Sequence, residues 1–387
     1  MKGELVVCNR CLMDTTAPNI SFDEHGNCCF CNRFLNETSQ ILNISDEIRA
    51  SQLNKLVDKI KNDGKNKPYD CIVGVSGGVD SSYTIILAKE LGLRPLAVHM
   101  DNGWNSELAQ NNIANLINGL GVDLYTHVID WEEYKNLMQA FFDANVLDIE
   151  LLYDNAMMAV NFQQAAKFGV KYILSGVNTS TEGMEMPEGW NWFKYDKRNI
   201  REIGKRFRNV KLVTFPAIGT LDFVRFKFLN KINWFSFLDY FNYEKKVALE
   251  LLEDNYNYKP YPYKHYEGIF TRFYQGYILP NKFGIDKRKL HFSTLVLTNQ
   301  MSREDAVEIL KSPPYPSVEA LEDDINYFLK KMNWSEDDLD KYINSPEIKH
   351  DKYPSEKALW DKLILGNNNS VMYKLLKNVI KRLSSNN

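Results

Sequence analysis

The segment at residues 70–82 constrains the fold of this chain more than any other. Its apolar run at 70–75 predicts a buried strand, and residues 81–92 predict a helix that ends near a glycine. The sequence SGGVD lies between them. Glycines let the backbone approach an anion closely, and a helix start presents free N–H groups and the positive end of its dipole. The segment therefore predicts a strand, an anion-binding loop and a helix in immediate succession.

Polar side chains in this loop add to the prediction. Asp80 is unusual beside a phosphate, because the two negative charges repel unless a divalent cation lies between them, so it predicts Mg²⁺. The loop lacks the lysine of G-x-x-x-x-G-K-[ST] and does not follow G-x-G-x-x-G. The residues predicted to bind a nucleotide here are Ser76, Gly77, Gly78, Asp80, Ser81 and Ser82.

Strands and helices alternate on both sides of this loop. Such alternation is typical of βαβ units, so we expect an α/β fold with a mostly parallel sheet and helices on both faces. Ligands of such sheets bind at the carboxyl ends of the strands. The predicted strands are 95–100, 122–128 and 170–175, and the predicted helices are 46–62, 106–120, 131–145 and 151–168. Residues 176–210 are predicted to be loop, 211–216 a candidate last strand, and the chain after about 221 mainly helical.

Four of the six cysteines form two C-x₂-C pairs. The pairs are Cys8 with Cys11 and Cys28 with Cys31, separated by 16 residues. This pattern is typical of a tetrahedral Zn²⁺ site, whose metal supplies folding free energy to a short segment. Four thiolates leave no open coordination position, so we predict a structural role; a redox dithiol or incidental buried cysteines are the alternatives. Cys29 has the poorer spacing, and Cys71 is predicted to be a core residue of the first strand.

Composition limits the class of partner. The chain has 387 residues, with Lys+Arg 47 and Asp+Glu 50, and a formal net charge of −3. Proteins that bind nucleic-acid backbones usually carry a basic excess, so a nucleic-acid partner is disfavoured. No run approaches the roughly 18 consecutive apolar residues of a membrane span, and the first residues do not resemble a signal peptide. We therefore expect a cytoplasmic protein without a membrane partner.

The SGGVDSS sequence after a strand resembles the PP-loop of the ATP pyrophosphatases, also called the adenine nucleotide alpha hydrolase-like fold. Those enzymes cleave ATP between the α- and β-phosphates and transfer AMP to an oxygen. The resemblance implies further nucleotide contacts at the ends of two other predicted strands. These are His99, Asp101 and Asn102 after one strand and Ser175, Gly176 and Asn178 after another.

Most of the chain resembles the N-acetyl sugar amidotransferases of bacterial O-antigen and flagellin-glycan synthesis. The resemblance runs from CNRCLMDTTAP through the PP-loop to KHYEG and YILPNKFGIDKRKLH. It implies conversion of the N-acetyl group of an activated sugar to an acetamidino group, through an adenylated imidate that forms from ATP. It also implies three domains: a zinc knuckle at 1–45, a PP-loop domain at 46–220, and a substrate- or partner-binding domain at 221–387.

The resemblance and the basic, aromatic character of residues 255–291 suggest catalytic groups. The predicted catalytic residues are Asp80, Lys264, His265, Lys282 and Arg288, with Arg272 and Lys287 as further candidate bases. For each base, solvated surface is the alternative, because most charged residues are exposed. His265 is either a proton shuttle or an ordinary hydrogen-bonding residue. Glu182 and Asp196 are candidates for binding a sugar hydroxyl, Mg²⁺ or ammonium, or else belong to an acidic surface loop.

The source of ammonia is the last question that the sequence raises. A glutaminase needs an activated cysteine, with a histidine partner or at a free N-terminus, and no cysteine of this chain has such a context. The resemblance implies a separate glutaminase, with a cyclase-like barrel subunit as ammonia channel. Two other classes stay open: a tRNA-modifying PP-loop enzyme (thiolase or lysidine-type ligase), which the net charge disfavours, and a non-catalytic zinc scaffold, which the intact Asp80 disfavours.

Overall fold

A five-stranded parallel sheet organises the protein. The computed structural model describes residues 5–262 and 266–365. The strands are β1 (Cys71–Gly74), β2 (Pro95–Asp101), β3 (Asp123–Val128), β4 (Tyr172–Ser175) and β5 (Asn233–Ser236). Their order is β3-β2-β1-β4-β5, and every neighbouring pair is parallel. The strand order reverses direction between β1 and β4, which is where open α/β sheets bind their ligands.

Helices surround this sheet and make up most of the rest of the chain. The α-helices are α1 (Cys29–Leu42), α2 (Asp46–Gly64), α3 (Val79–Glu90), α4 (Glu107–Leu120), α5 (Trp131–Asp143), α6 (Leu151–Lys167), α7 (Thr179–Glu182), α8 (Lys197–Arg208), α9 (Thr220–Val224), α10 (Lys245–Tyr256), α11 (Ile269–Phe273), α12 (Lys287–Leu297), α13 (Arg303–Lys311), α14 (Val318–Met332), α15 (Glu336–Asn344) and α16 (Lys357–Trp360). The π-helical segments are Arg225–Leu229, Tyr274–Phe283 and Asp361–Leu365, and the 3₁₀ turns are Phe237–Tyr240 and His350–Lys352.

The strands β1, β2 and β4 are buried on both faces. Side chains alternate between the two faces of a strand, so neighbouring residues of β1 enter different cores. Ile72 packs with α5 and α6 in one core, whereas Cys71 and Val73 pack with α2, α3, α4 and α10 in the other. These double-sided contacts explain why the strands are continuous apolar runs. They confirm the predicted α/β fold with helices on both faces.

The cysteine-rich segment near the N-terminus contacts two helices of the C-terminal part. The Leu12 N–H donates to Ser293 Oγ (3.0 Å) on α12, and the Arg303 guanidinium donates to the Cys8 carbonyl (3.0 Å). Lys289 forms an ion pair with Asp14 at 2.5 Å. The cysteine-rich N-terminal segment is therefore docked on α12 and α13 of the mainly helical C-terminal part.

Two local predictions are wrong, although the part after residue 220 is mainly helical as predicted. Residues 211–216 form no strand, because the Glu133 carboxylate accepts the backbone N–H groups of Val213, Thr214 and Phe215 and leaves none for a ladder. The fifth strand is β5, which lies beyond residue 220 and within the segment predicted to be mainly helical. Helices α1 and α8 form where the sequence predicted no regular structure. Within residues 5–262 and 266–365, no helix is long and apolar enough to cross a bilayer.

Candidate active site

One large cavity opens at the carboxyl ends of the central strands. Its volume is about 1330 Å³, and its walls include the loop after β1, the ends of β2 and β4, and residues of α6 and α12. Sites for a single small ligand are typically about 300–1,000 Å³. The cavity (hereafter the central cavity) therefore has room for two substrates side by side.

The loop after β1 forms an anion cradle on the central cavity. Gly78 is the N-cap of α3 and no side chain caps this helix, so its first N–H groups face the cavity side. Gly77 has φ +87°, and a Cβ at this position would lie 2.9 Å from the Ala109 carbonyl oxygen. The Ser76 and Ser81 hydroxyls are 3.2 Å apart and both line the cavity. The cradle fits the phosphates of a nucleotide.

Three tyrosines from distant parts of the chain hold this loop. The Tyr258 and Tyr261 hydroxyls both donate to the Gly77 carbonyl, at 2.9 and 3.1 Å. The Tyr243 hydroxyl donates to the Asp80 carboxylate. Burial, together with the charge of Asp80, raises the pKa of Tyr243 far above its ordinary value, so the phenol stays protonated as a donor. The loop geometry therefore depends on a segment more than 160 residues later in the chain.

Most of the predicted nucleotide-binding residues lie on the cavity wall, and the others stand behind it. Ser76, Gly78, Asp80, Ser81, Asn102, Ser175 and Gly176 line the cavity, whereas Gly77, Ser82, His99, Asp101 and Asn178 do not. His99 is buried, and its Nδ1 contacts the Val75 carbonyl at 2.8 Å; burial lowers its pKa, so the ring is neutral. Asp101 accepts the Gly103 N–H (2.8 Å), and Asn178 caps α7. These residues shape the strand ends and do not face the cavity.

The predicted catalytic bases are mostly engaged elsewhere. Lys282 donates to the carbonyls of Tyr342 and Ser345 at the end of α15, and partial burial lowers its pKa to about 8. Arg288 pairs with Asp286 at 2.8 Å, and Arg272 pairs with Asp324 at 2.5 Å. Of the four described bases that the sequence suggested, Lys287 alone lines the cavity. Lys264 and His265 lie outside the described residues.

The cavity wall instead carries a charged cluster that the sequence analysis missed. Lys287 contacts the Glu150 carboxylate at 2.8 Å, and Lys194 contacts both Asp148 and Asp154 at 2.7 Å. Glu150 and Asp154 are four residues apart at the start of α6, and both line the cavity. The spacing of Glu150 and Asp154 places both carboxylates on one face of a helix. This spacing was the signal in the sequence that could have predicted the cluster.

The two acidic residues proposed as ligand-binding candidates, Glu182 and Asp196, lie in different surroundings. Glu182 lines the central cavity, as the sequence analysis proposed. Asp196 is fully buried, caps the N-terminus of α8, and accepts hydrogen bonds from Trp192 Nε1 (2.8 Å) and the Ser355 hydroxyl (2.5 Å). It is thus neither a surface residue nor available to a ligand.

The four predicted zinc ligands converge on one point. The Sγ atoms of Cys8, Cys11, Cys28 and Cys31 all lie within 4.8 Å of one another. The Cys8–Cys31 and Cys11–Cys28 sulfurs are 3.8 and 3.6 Å apart. A tetrahedron with Zn–S bonds of about 2.3 Å has edges of about 3.8 Å, so the spacing fits Zn²⁺. Backbone N–H groups also point at the sulfurs, for example that of Cys28 at Cys8 Sγ (3.1 Å), and such donors stabilise thiolates.

The remaining two cysteines take no part in this cluster. Cys29 is half-buried, and its Sγ lies 3.8 Å from the Asn19 carbonyl oxygen. Cys71 is completely buried in β1, and burial raises the pKa of its thiol well above the ordinary value. The prediction that Cys71 is a core residue is confirmed.

Two family matches agree with this geometry. Residues 51–184 match the NAD synthase family, and residues 267–365 match the family described as LPS biosynthesis protein WbpG-like, C-terminal domain. Residues 51–184 contain β1 to β4 and the loop after β1, so this part of the chain is a PP-loop domain similar to NAD synthase. Residues 267–365, which contain α11 to α16, are similar to the C-terminal domain of the WbpG-like proteins of lipopolysaccharide biosynthesis.

Individual relatives are more distant. The glutamine-hydrolysing GMP synthase of Pyrobaculum aerophilum is 39% identical over 93 residues, which are 24% of this chain and 18% of that protein. The chain thus spans less than a fifth of the length of that relative. NMN synthetase from Francisella tularensis is 17% identical with a TM-score of 0.29, covering 58% of this chain and 100% of that one. The NH₃-dependent NAD synthetase from Campylobacter jejuni is 15% identical with a TM-score of 0.28, covering 55% and 94%.

Proposed function

We propose that this protein is an ATP-dependent amidotransferase that converts the N-acetyl group of an activated sugar to an acetamidino group, with release of AMP and pyrophosphate. The observation that carries the proposal is one cavity of about 1330 Å³ whose wall carries both the phosphate cradle and the charged residues Glu150, Asp154, Lys194 and Lys287. The match of residues 267–365 to a lipopolysaccharide-biosynthesis domain supports a sugar as the second substrate.

The chemistry needs positioning and charge more than it needs a covalent nucleophile. An amide oxygen is a poor leaving group, so the acetamide oxygen first attacks the α-phosphorus of ATP and pyrophosphate leaves. Ammonia then adds to the imidate carbon, AMP departs with the former amide oxygen, and one proton is released. Holding the two reactants in line supplies much of the rate enhancement in such transfers.

The residues of the cradle suit the first step. The N–H groups at the start of α3 and the hydroxyls of Ser76 and Ser81 would bind phosphate oxygens. Asp80, held by the Tyr243 hydroxyl, is the carboxylate that would hold Mg²⁺, which neutralises phosphate charge when bound. Glu182 and Glu267 also line the central cavity, and Glu267 Oε1 lies close to Gly78 of the cradle.

We propose that ammonia comes from a separate glutaminase, with a cyclase-like barrel subunit as the channel. All six cysteines lie in the described part of the chain. Four belong to the metal cluster, Cys71 is buried with a raised pKa, and Cys29 has no histidine within the contacts described for it. A thiolate nucleophile needs a lowered pKa, so the cysteines support no glutaminase activity in this chain.

The test is product analysis with a panel of substrates. Purified protein receives ATP, Mg²⁺ and ammonium with nucleotide-activated N-acetyl sugars or acetylated nonulosonic acids. AMP and pyrophosphate are assayed, and the sugar is followed by mass spectrometry. We expect AMP release with one sugar and replacement of its acetamide oxygen by nitrogen. AMP release that depends on bulk tRNA would favour a tRNA-modifying enzyme, and ADP as the product would refute the mechanism.

A further inference from the structure

Two lysine–carboxylate pairs stand side by side on the α6 and α12 wall of the central cavity. Glu150 accepts from Lys287 Nζ (2.8 Å) and from Gln275 Nε2 (2.9 and 3.0 Å), and the Glu150 side chain is 9% exposed. Lys194 forms ion pairs with two aspartates. Asp148 is buried, whereas the Asp154 side chain is 36% exposed and borders the cavity. We call Glu150, Asp154, Lys194, Lys287 and Gln275 the paired cluster.

A contribution to folding stability does not by itself explain why charged pairs are buried here. Removing charges from water costs several kcal/mol per ion, and apolar replacements of buried pairs are often as stable or more so. The surrounding core is rich in aromatic side chains such as Trp104, Phe142 and Phe270, so apolar packing was available. The two lysine–carboxylate pairs lie on the wall of a cavity. Charged groups kept in such a place indicate that they bind a ligand.

The charge of the site restricts the ligand. The paired cluster has two negative and two positive charges, and the buried Asp148 that pairs with Lys194 behind it brings the sum to −1. Both ammonium groups are already paired with carboxylates, which disfavours a phosphate or carboxylate at this position. Carboxylate oxygens accept hydrogen bonds from O–H and N–H groups, and the paired lysines hold those oxygens in fixed positions.

The neighbouring wall includes aromatic side chains. Trp104, Tyr153 and Phe270 line the same cavity; Tyr153 is half-buried, whereas Trp104 and Phe270 are 2% and 5% exposed. The apolar face of a pyranose ring packs on an accessible aromatic side chain such as Tyr153, while its hydroxyls reach polar groups at the edge. Asn191 and Gln275 add amide groups to the cavity wall. The combination suits a ligand with one apolar face and several hydroxyl donors.

We propose that the paired cluster is the sugar subsite, in which Glu150 and Asp154 accept hydrogen bonds from the hydroxyl and amide N–H groups of an N-acetylated pyranose. This inference rests on the proposed function for the identity of the second substrate. It places the uncharged ring at the paired cluster and any phosphate or carboxylate of the substrate elsewhere in the central cavity.

The test measures sugar binding without turnover. N-acetylglucosamine is the probe, and its binding to the full chain is followed by saturation-transfer NMR in the absence of ATP. The variants are Glu150→Gln and Asp154→Asn, which keep side-chain shape and remove one charge. The matched control is Glu308→Gln, which removes the carboxylate of an exposed pair with Lys311 on α13. Thermal melting and ATP titration check that each variant folds and keeps its phosphate cradle.

We expect the wild type and Glu308→Gln to bind the probe equally, and each cluster variant to bind it about tenfold more weakly or worse, with ATP affinity unchanged. Absence of binding to the wild type, or equal binding by all four proteins, would overturn the proposal. Loss of ATP affinity together with sugar binding would do so too, because the cluster would then be structural. Sugar binding at this cluster without any sugar-dependent AMP would refute the proposed reaction and leave the subsite intact.

Discussion

Gly176 sits where the end of β4 meets the start of α3, and adding one methyl group there should disturb nucleotide binding. A Cβ on Gly176 would lie 2.7 Å from the Asp80 carbonyl carbon, 2.7 Å from the Ser81 nitrogen and 2.8 Å from the Asp80 oxygen. Ordinary contact begins at 3.4 Å, so the backbone must move by roughly 0.7 Å. Overpacking of this kind costs about 1–3 kcal/mol, which lowers the melting temperature by about 2–12 °C for a domain of this size.

The same movement displaces the N–H groups that face the phosphates. Losing one hydrogen bond to a charged acceptor costs about 1.5–3 kcal/mol, so Gly176→Ala should weaken ATP binding about 10- to 100-fold. Calorimetric titration with ATP and thermal melting measure both effects. Gly119→Ala is the matched control, because its Cβ meets only the half-buried Tyr256 ring, 2.9 Å away, and alanine favours a helix. Wild-type ATP affinity and stability in Gly176→Ala would refute this account of the β4–α3 contact.

Further predictions concern the acidic loop residue, the metal cluster and a buried histidine. Asp80→Asn should slow AMP formation at least about a hundredfold, with Asp58→Asn on the exposed face of α2 as control; undiminished turnover would exclude the catalytic role. Elemental analysis should find one Zn²⁺ per chain in the wild type and in Cys29→Ser and none in Cys11→Ser, and equal zinc in all three would contradict the four-cysteine site. Burial lowers the pKa of His350 to about 4, below the unfolded value of about 6.5, so unfolding becomes easier as pH falls through this window. Urea titrations should show a loss of up to about 3 kcal/mol there that His350→Gln lacks, and an unchanged profile would contradict the burial.

The local sequence pattern was sufficient to predict the central strands and the phosphate-binding loop. β1, β2 and β4 each coincide with a predicted apolar run, because parallel strands buried on both faces need apolar residues nearly throughout, whereas the more exposed edge strand β3 coincides with the predicted strand 122–128. The four cysteines were predictable for a similar reason, since a C-x₂-C pair fixes two ligands within one turn. In each case one short segment carries the whole signal.

Features that depend on distant contacts were not predictable. β5 has four half-buried residues and too short a pattern to separate from a helix or a loop. The residues of 272–288 share one basic composition, yet packing turns Lys287 toward the cavity and Lys282 toward the carbonyls of α15. The hydrogen bond between Tyr243 and Asp80 joins residues 163 positions apart, so the sequence around either residue does not predict it.

The source of the oxygen in AMP tests the central claim most directly. The sugar that supports AMP release is prepared with an isotopically heavy acetamide oxygen and turned over with ATP, Mg²⁺ and ammonium. If the amide oxygen attacks the α-phosphorus, mass spectrometry will find one heavy oxygen in AMP and none in the amidino sugar or in pyrophosphate. Unlabelled AMP, with the heavy oxygen kept in the sugar or released as water, would contradict an adenylated imidate.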